Sequence, residues 1–476
     1  MYWIPLVINI FLAAAIVFLE RRHVAATWAW LLVLVFLPIV GFIIYIVFGQ
    51  NLSKIKIFRF PTRFFEEYGR MIEVQYRHLK AGEFSFNDAA AADNQAAIML
   101  NLVHGKSLFS QDNAVDIYTD GKAKFEALLR DIDAAEHHIH MLYYIYRNDE
   151  IGRTIRDRLV MKAKAGVEVR VLIDDMGSSR LPRSFFRPLL EAGGQAAAFF
   201  PSNWLPYLNF RVNYRNHRKM VIIDGQVGYI GGFNIGDEYL GLNRKFGYWR
   251  DTHIRISGSA VDSLQIRFLL DWNNASTRKM KYDRRYFPVK QTTGTAGMQI
   301  VSSGPDSDQE QIKDGMLKLI YATRKSIFIQ TPYFVPDESM LGALKIAALS
   351  GVDVRIMIPN KPDHPFVYWA SWSYLGKLLR HGVRAYIYDR GFIHAKTIVM
   401  DGQTASVGTS NFDVRSFKLN FEVNAFIFHT ETAGKLHDIF LADMAHAREL
   451  TWEEYERRRW IIRFKESVSR LLSPIL

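Results

Sequence analysis

The sequence predicts an α/β protein of two homologous lobes, each a mixed β-sheet flanked by helices, preceded by two helices long enough to span a bilayer. Three observations predict it. One motif occurs twice, strand-like and helix-like runs alternate in the same order around each copy, and two apolar runs fall within the first 50 residues.

The repeat is the strongest of these. His217-Arg218-Lys219-Met220-Val221-Ile222-Ile223-Asp224-Gly225 returns as His394-Ala395-Lys396-Thr397-Ile398-Val399-Met400-Asp401-Gly402, 177 residues on (217 to 394). Gly231 and Asn234 return as Gly408 and Asn411 at the same offset. Upstream, Gly166 to Val171 matches Gly351 to Ile356 at an offset of 185 (166 to 351), so the first half carries eight more residues before its motif. The aromatic and β-branched runs Ile139 to Tyr146 and Ile327 to Phe334 each follow a helix-like stretch, Lys122 to Ala135 and Gln309 to Thr323. Such alternation predicts α/β layers in each half. Ser276 to Gln299, basic and then Thr/Gly-rich, reads as the connector.

Tyr2 to Leu19 is apolar apart from Asn9, and Trp28 to Phe48 is apolar for 21 residues (28 to 48). These lengths approach or reach the ~20 residues of a transmembrane helix. Trp28, Trp30 and Tyr45 lie near the ends of the second run, as interfacial aromatics do. Nothing basic precedes the first run, which argues against a cleaved signal peptide. Two spans place the N-terminus and the bulk on one side of the membrane. Lys54, Lys56, Arg59, Arg63 and Arg70 on the far flank favour the cytoplasmic side. The expected segments are 1–50 (two transmembrane helices), 51–110 (a juxtamembrane linker), 111–290 (lobe 1) and 291–476 (lobe 2). The last ends in an amphipathic basic helix, Trp452 to Leu472, packed on a lobe or lying on lipid.

Composition narrows the chemistry. With no cysteine, disulfides, thiolate zinc sites and thiol nucleophiles are excluded. Global disorder is excluded because 49% of residues are hydrophobic. A formal charge of +12 points to an anionic partner: nucleic acid, acidic lipid or a phosphate-bearing substrate.

On a strand, positions i and i+2 share a face, so His217 and Lys219 project together, as do His394 and Lys396. Asp224 and Asp401, an odd number of residues on, face the other way. They read as turn or ion-pair residues of the motif, although they complete the candidate catalytic set His217, Lys219, Asp224, His394, Lys396 and Asp401. Two His, two Lys and two Asn converging make a donor-rich pocket suited to a phosphodiester, whose transition state spreads negative charge over its oxygens. One imidazole can attack while the other handles the leaving-group proton. Each needs a partner to fix its tautomer, for which Asp251 and Glu422, 34 and 28 residues beyond their histidines (217 to 251, 394 to 422), are the candidates. His137, His138 and His140 contain a metal-like His-x-His spacing, but core or solvated histidines are the simpler reading and no metal site is assigned. Trp204 to Leu208, and Phe366, Tyr368, Trp369, Trp372 and Tyr374, serve either as core or as contacts for acyl chains.

On average residue usage, one His-x-Lys-x4-Asp arises by chance in about one chain in twenty of this length. Two copies sharing Gly and Asn at one offset do not. With these residues the sequence resembles the phospholipase D superfamily, most of all bacterial cardiolipin synthases. Trp28-Ala29-Trp30-Leu31, Phe48-Gly49-Gln50-Asn51 and Ser303-Gly304-Pro305 extend the resemblance over essentially the whole chain. It implies that His217 and His394 form the catalytic pair, with His217 the nucleophile by family habit, where the residues alone allow the reverse. It implies that Lys219, Lys396, Asn234 and Asn411 hold the phosphate. Serine often stands two residues before each Asn; here Gly232 and Thr409 do.

The implied reaction needs no metal, cofactor or nucleotide. A phosphatidyl group passes from one phosphatidylglycerol through a histidine to another, giving cardiolipin and glycerol. The implied setting is a multi-pass enzyme of the bacterial inner membrane, acting on anionic lipids and not on nucleic acid. The rival readings are a phospholipase D-type hydrolase, a phosphatidyltransferase using serine, a membrane-tethered nuclease and a lipid-binding scaffold without activity.

Overall fold

The computed structural model describes residues 24–37, 62–201, 214–291 and 294–473, with single positions at 11, 41 and 45. Apart from Phe11, the first apolar run lies outside the described residues, as do Trp204 to Leu208. Of the second run, helix α1 (Val24–Phe36) is described. Among the described residues, no helix is long and apolar enough to cross a membrane.

The strands of the first half are β1 (Ser110–Tyr118), β2 (His138–Tyr143), β3 (Glu168–Asp174), β4 (Gln195–Phe199), β5 (Met220–Ile223), β6 (Val227–Gly231) and β7 (His253–Ser257). Those of the second are β8 (Ala296–Ser303), β9 (Ser326–Gln330), β10 (Asp353–Pro359), β11 (Arg384–Tyr388), β12 (Thr397–Met400), β13 (Thr404–Gly408), β14 (Asn420–Phe428) and β15 (Ala447–Leu450). They share one sheet in the order β15-β11-β10-β9-β12-β13-β14-β8-β1-β7-β6-β5-β2-β3-β4. Apart from β15, the order reads the same outward from its centre. There β1 and β8, first strands of the two copies, pair antiparallel with each other, the relation a two-fold duplication requires. Within each half, three parallel strands adjoin four that pair antiparallel, so the sheet is mixed as expected.

The helices expected from the sequence form at Gly121–Ala134 and Gln311–Ala322. The first is capped by Asp120, whose side chain accepts from the Ala123 amide. The expected connector ends earlier than predicted, because β8 begins at Ala296. The expected linker holds helices Thr62–Ala81 and Gln95–Val103, whose Ile72, Leu79, Ile98 and Leu102 are buried in the core of the second lobe. Gln299 on β8 donates to the Ile98 and Ser107 carbonyls, and His104 meets Asp314 at 2.8 Å, so this segment is part of the folded body. The C-terminal stretch is two helices, Trp452–Glu456 and Trp460–Leu471, broken at the consecutive arginines 457–459 and packed on helix Pro365–Leu379.

Candidate active site

Both motifs leave the sheet where the sequence expects one continuous strand. The strands β5 and β12 begin only at Met220 and Thr397, after the His and Lys. Before each motif lies a two-residue strand that pairs with the opposite lobe. Arg215–Asn216 runs parallel to the start of β14, and Phe392–Ile393 runs parallel to Trp249–Arg250. The His217 amide then donates to the Phe421 carbonyl (3.0 Å), and the His394 amide to the Arg250 carbonyl (2.7 Å). Each histidine therefore sits on the lobe–lobe seam, held by backbone from the other lobe.

The carboxylates cross as well. Glu422 of the second lobe accepts from His217 Nδ1 at 2.9 and 3.0 Å, and Asp251 of the first lobe meets His394 Nδ1 at 2.6 Å. Assigning each carboxylate to the histidine it follows in sequence is thus corrected: the pairs are His217–Glu422 and His394–Asp251. All four are buried or nearly so. With Nδ1 engaged by a carboxylate, Nε2 is the ring nitrogen available for chemistry on both rings. Thr409 Oγ1 also donates to Glu422 at 2.6 Å. At the matching place a side chain on Gly232 would collide with the Asp251 carboxylate, so no hydroxyl can stand there. Tyr144 packs edge-on against the His217 ring, and Trp249 lies against His394.

Burial lowers His217 to about 4, with Glu422 opposing and Lys219 reinforcing the shift. Burial likewise lowers His394, with Lys396 adding to it. Lys219 is pushed well below its ordinary value by burial, against the pull of Glu422, and Lys396 falls to about 8 for the same reason. Burial alone would raise the two carboxylates. For Asp251, Lys396 and His394 outweigh it; for Glu422, His217 and Lys219 do. Lys219 and Lys396 each give one N–H to the carbonyl of the histidine two residues back (2.6 and 2.5 Å), fixing them beside the rings with donors to spare. Asn234 accepts from the Ile145 amide and donates to Tyr239 Oη (3.1 Å each), leaving one N–H. Asn411 is buried with its Oδ1 unpartnered.

Asp224 and Asp401 leave the catalytic set. Each lies five residues beyond its lysine, roughly 17 Å along an extended chain. Asp224 accepts three backbone N–H bonds from Glu136, His137 and His138, and Asp401 three from Arg324, Lys325 and Ser326. Both have φ of 54°, followed by Gly225 at 63° and Gly402 at 66°, as a type I′ hairpin turn requires. They anchor the starts of β2 and β9. Asp401→Ala is expected to lower the thermal midpoint through a loss of about 1–3 kcal/mol. Turnover below that midpoint should stay within about threefold, as no reacting group is touched; a large fall in turnover with an unchanged midpoint would restore Asp401 to the chemistry.

Two buried arginines that the sequence did not single out clamp the lobes. Arg218 holds Asp271 of helix Ala260–Ala275 at 2.7 and 2.8 Å, and reaches the Ser303 and Glu422 carbonyls across the seam. Arg250 pairs with Asp443 of helix Thr430–Met444 at 2.7 Å. His138 and His140 are buried, both bonded to Gln265, with His140 stacked on Phe268; this is a core arrangement. Among the described residues no group of three His, Asp or Glu is placed to hold a metal.

Residues 128–253 and 316–444, which contain both motifs, match the family model described as cardiolipin synthase, phospholipase D-like domain. The chain belongs to this phospholipase D-like family. Residues 7–50 match a phospholipase D-nuclease N-terminal model. The major cardiolipin synthase ClsA of Bacillus subtilis is 56% identical over 471 residues, 99% of this chain and 98% of that one. A cardiolipin synthase of Listeria monocytogenes is 54% identical over 476 residues, with the same coverage. The crystal structure of phosphatidylserine synthase from Haemophilus influenzae shares the fold, with a TM-score of 0.62 over 81% of this chain and all of that one, at 15% identity. In this family's duplicated fold, the seam between the domains is where the crossed pairs lie.

Proposed function

We propose that the protein is a membrane-associated cardiolipin synthase. It transfers a phosphatidyl group from one phosphatidylglycerol to a second and releases glycerol. The observation that carries this reading is the pair of carboxylate-bound imidazoles on one seam beside two buried lysines, in a chain over half identical to cardiolipin synthases along its whole length.

His217, neutral at physiological pH, attacks the phosphorus through Nε2. The bond from phosphorus to the glycerol oxygen breaks, and His394 gives that oxygen its Nε2 proton. The phosphatidyl group now rests on His217. A second phosphatidylglycerol loses its terminal hydroxyl proton to His394, attacks the phosphorus and frees His217, which restores both rings. Asp251 opposes the burial shift at His394 and, together with the negative charge of the bound diester, supports the imidazolium that the acid step requires. Two ammonium groups offset two carboxylates, so the imidazolium proton matches the single charge of a diester. Lys219, Lys396, Asn234 and Asn411 are the donors for its oxygens. One phosphodiester replaces another, so no energy source is consumed. Nor does any step call for a metal. Both apolar N-terminal runs are assigned to membrane insertion, with the lobes on the cytoplasmic side.

Purified protein given glycerol-labelled phosphatidylglycerol should release glycerol and form cardiolipin without metal or CTP. Phosphatidic acid in place of cardiolipin, with glycerol still released, would instead make it a hydrolase. The pH profile follows from the shifted groups. His394 and Lys396 must both be charged and burial lowers both, Lys396 to about 8, so kcat/KM should already be falling by the pH at which Lys396 discharges. His217 must be neutral, so the acid limb should lie near 4. Lys396→Arg should ease the fall near that value; a fall left unchanged would belong to His394 alone.

A further inference from the structure

The C-terminal helix Trp460–Leu471 is inside out. Against the protein it buries Glu466, Ser469 and, just beyond its end, Ser473, at 2–4% exposure. To solvent it shows Trp460 (76%), Phe464 (59%), Val468 (37%) and Leu471 (78%). At 100° per residue these four fall within an arc of roughly 80°, one continuous apolar ridge. The orientation is pinned. Glu466 takes a hydrogen bond from Tyr455 Oη (3.1 Å) and an ion pair from Arg458 (2.7 and 2.8 Å), while Gly376 of helix Pro365–Leu379 leaves space for the Tyr455 ring alone. A helix facing only water would be more stable turned over, since each large apolar side chain gains from burial. Here specific polar contacts hold the apolar face outward.

The surroundings of the ridge are basic. Arg463 and Arg470 line one side and Lys465 the other, with Arg457 and Arg459 just before the helix. A second copy of this chain would bring like-charged rims together, whereas phospholipid phosphates complement them. We propose that this ridge is an interfacial anchor that seats the second lobe on an anionic bilayer. Trp460, Phe464 and Leu471 enter the acyl boundary, and the flanking arginines and Lys465 meet the headgroup phosphates. The seat has a consequence for the active site. The helix beneath it, Pro365–Leu379, starts two residues after Asp363, whose charge acts on Lys396, and carries Phe366 exposed near that end. Docking the ridge would thus set the membrane against the lobe element that leads, through Asp363, to the Lys396 side of the seam. This last consequence rests on the proposed lipid chemistry; the docking itself does not.

The absence of native cysteine allows a direct test in the full chain. Phe464→Cys and, as a water-exposed reference, Glu453→Cys are each labelled with an environment-sensitive fluorophore and reconstituted in phosphatidylglycerol vesicles containing a doxyl-chain lipid. The 464 label is expected to be quenched by the doxyl lipid and shielded from iodide, and the 453 label the reverse. Equal iodide quenching at both positions overturns the proposal. Shielding at 464 that disappears as the protein is diluted among vesicles also overturns it, because a second copy then covers the ridge.

In the functional arm, Trp460→Ser/Phe464→Ser is expected to lower turnover on vesicles about tenfold, as loss of two interfacial aromatics would, and to change it less than about twofold in detergent micelles. Equal loss in both media, or loss in neither, contradicts the role in presenting the site. Shielding at 464 in a protein that releases no glycerol would retain the anchor and reject the lipid chemistry.

Discussion

Replacing His217 by alanine is expected to abolish phosphatidyl transfer to any acceptor, a loss of roughly 10⁴-fold or more, the scale of removing a nucleophile that acts with its partners as one unit. His394→Ala is expected to match this loss with phosphatidylglycerol, because glycerol leaves only if its oxygen receives a proton. The two variants part company on a phosphatidyl ester of 4-nitrophenol, whose anion leaves without help. There His394→Ala should still release one equivalent of nitrophenol and hold the phosphatidyl group on His217, while His217→Ala releases none. The reverse pattern would exchange the two roles. Loss with both substrates in both variants would mean that His394 also positions the diester. The expectation follows from the seam geometry: both rings offer Nε2, and only one need form a bond to phosphorus.

Arg218→Ala carries the largest expected effect on stability. The guanidinium is 1% exposed and bidentate on a fully buried Asp271, and its other donors reach the Ser303 and Glu422 carbonyls. Truncation leaves the buried Asp271 with Arg267, at 2.9 Å, as its remaining countercharge and takes the donor from two buried carbonyls, a loss of about 3 kcal/mol, the lower end for breaking a buried pair. Arg187→Ala, which breaks an exposed pair with Glu191 at a similar 3.0 Å, should cost no more than about 1 kcal/mol. Urea midpoints of the two variants in one detergent would compare them. Similar midpoints would show that the buried clamp is no stronger than a surface pair. Because Arg218 also touches the strand that carries Glu422, its loss should reach His217 and reduce turnover before the fold is lost.

The repeat made much of this legible. A duplication with one offset across the motif and its downstream Gly and Asn marks both halves of a site, and alternating runs mark the strands and helices around it. The parity of Asp224 and Asp401 already placed them off the histidine face, and their backbone bonds give the physical reason. Other features had no sequence signal. Glu422 and Asp251 were found as candidates but matched to the wrong rings. A one-dimensional repeat does not say whether a strand pairs within its lobe or across, and here Arg215–Asn216 and Phe392–Ile393 both pair across. Arg218 has Ala395 as its counterpart, so the repeat does not mark it; only the fold brings Asp271 beneath it. The inverted terminal helix was read as amphipathic, but which side faced inward depended on Tyr455, Arg458 and Gly376. For the apolar N-terminal runs the membrane reading comes from length, and among the described residues no helix is long and apolar enough to cross a membrane.

The crossing of the carboxylates is tested most directly by nitrophenol release from the phosphatidyl ester, which needs only the nucleophilic half of the site. Measured in Glu422→Gln and Asp251→Asn, the first-turnover rate should fall steeply in Glu422→Gln, since that carboxylate lies 2.9 Å from His217 Nδ1, and stay near the parent rate in Asp251→Asn. A steep fall in Asp251→Asn with Glu422→Gln spared would contradict the account, returning each carboxylate to the histidine of its own lobe.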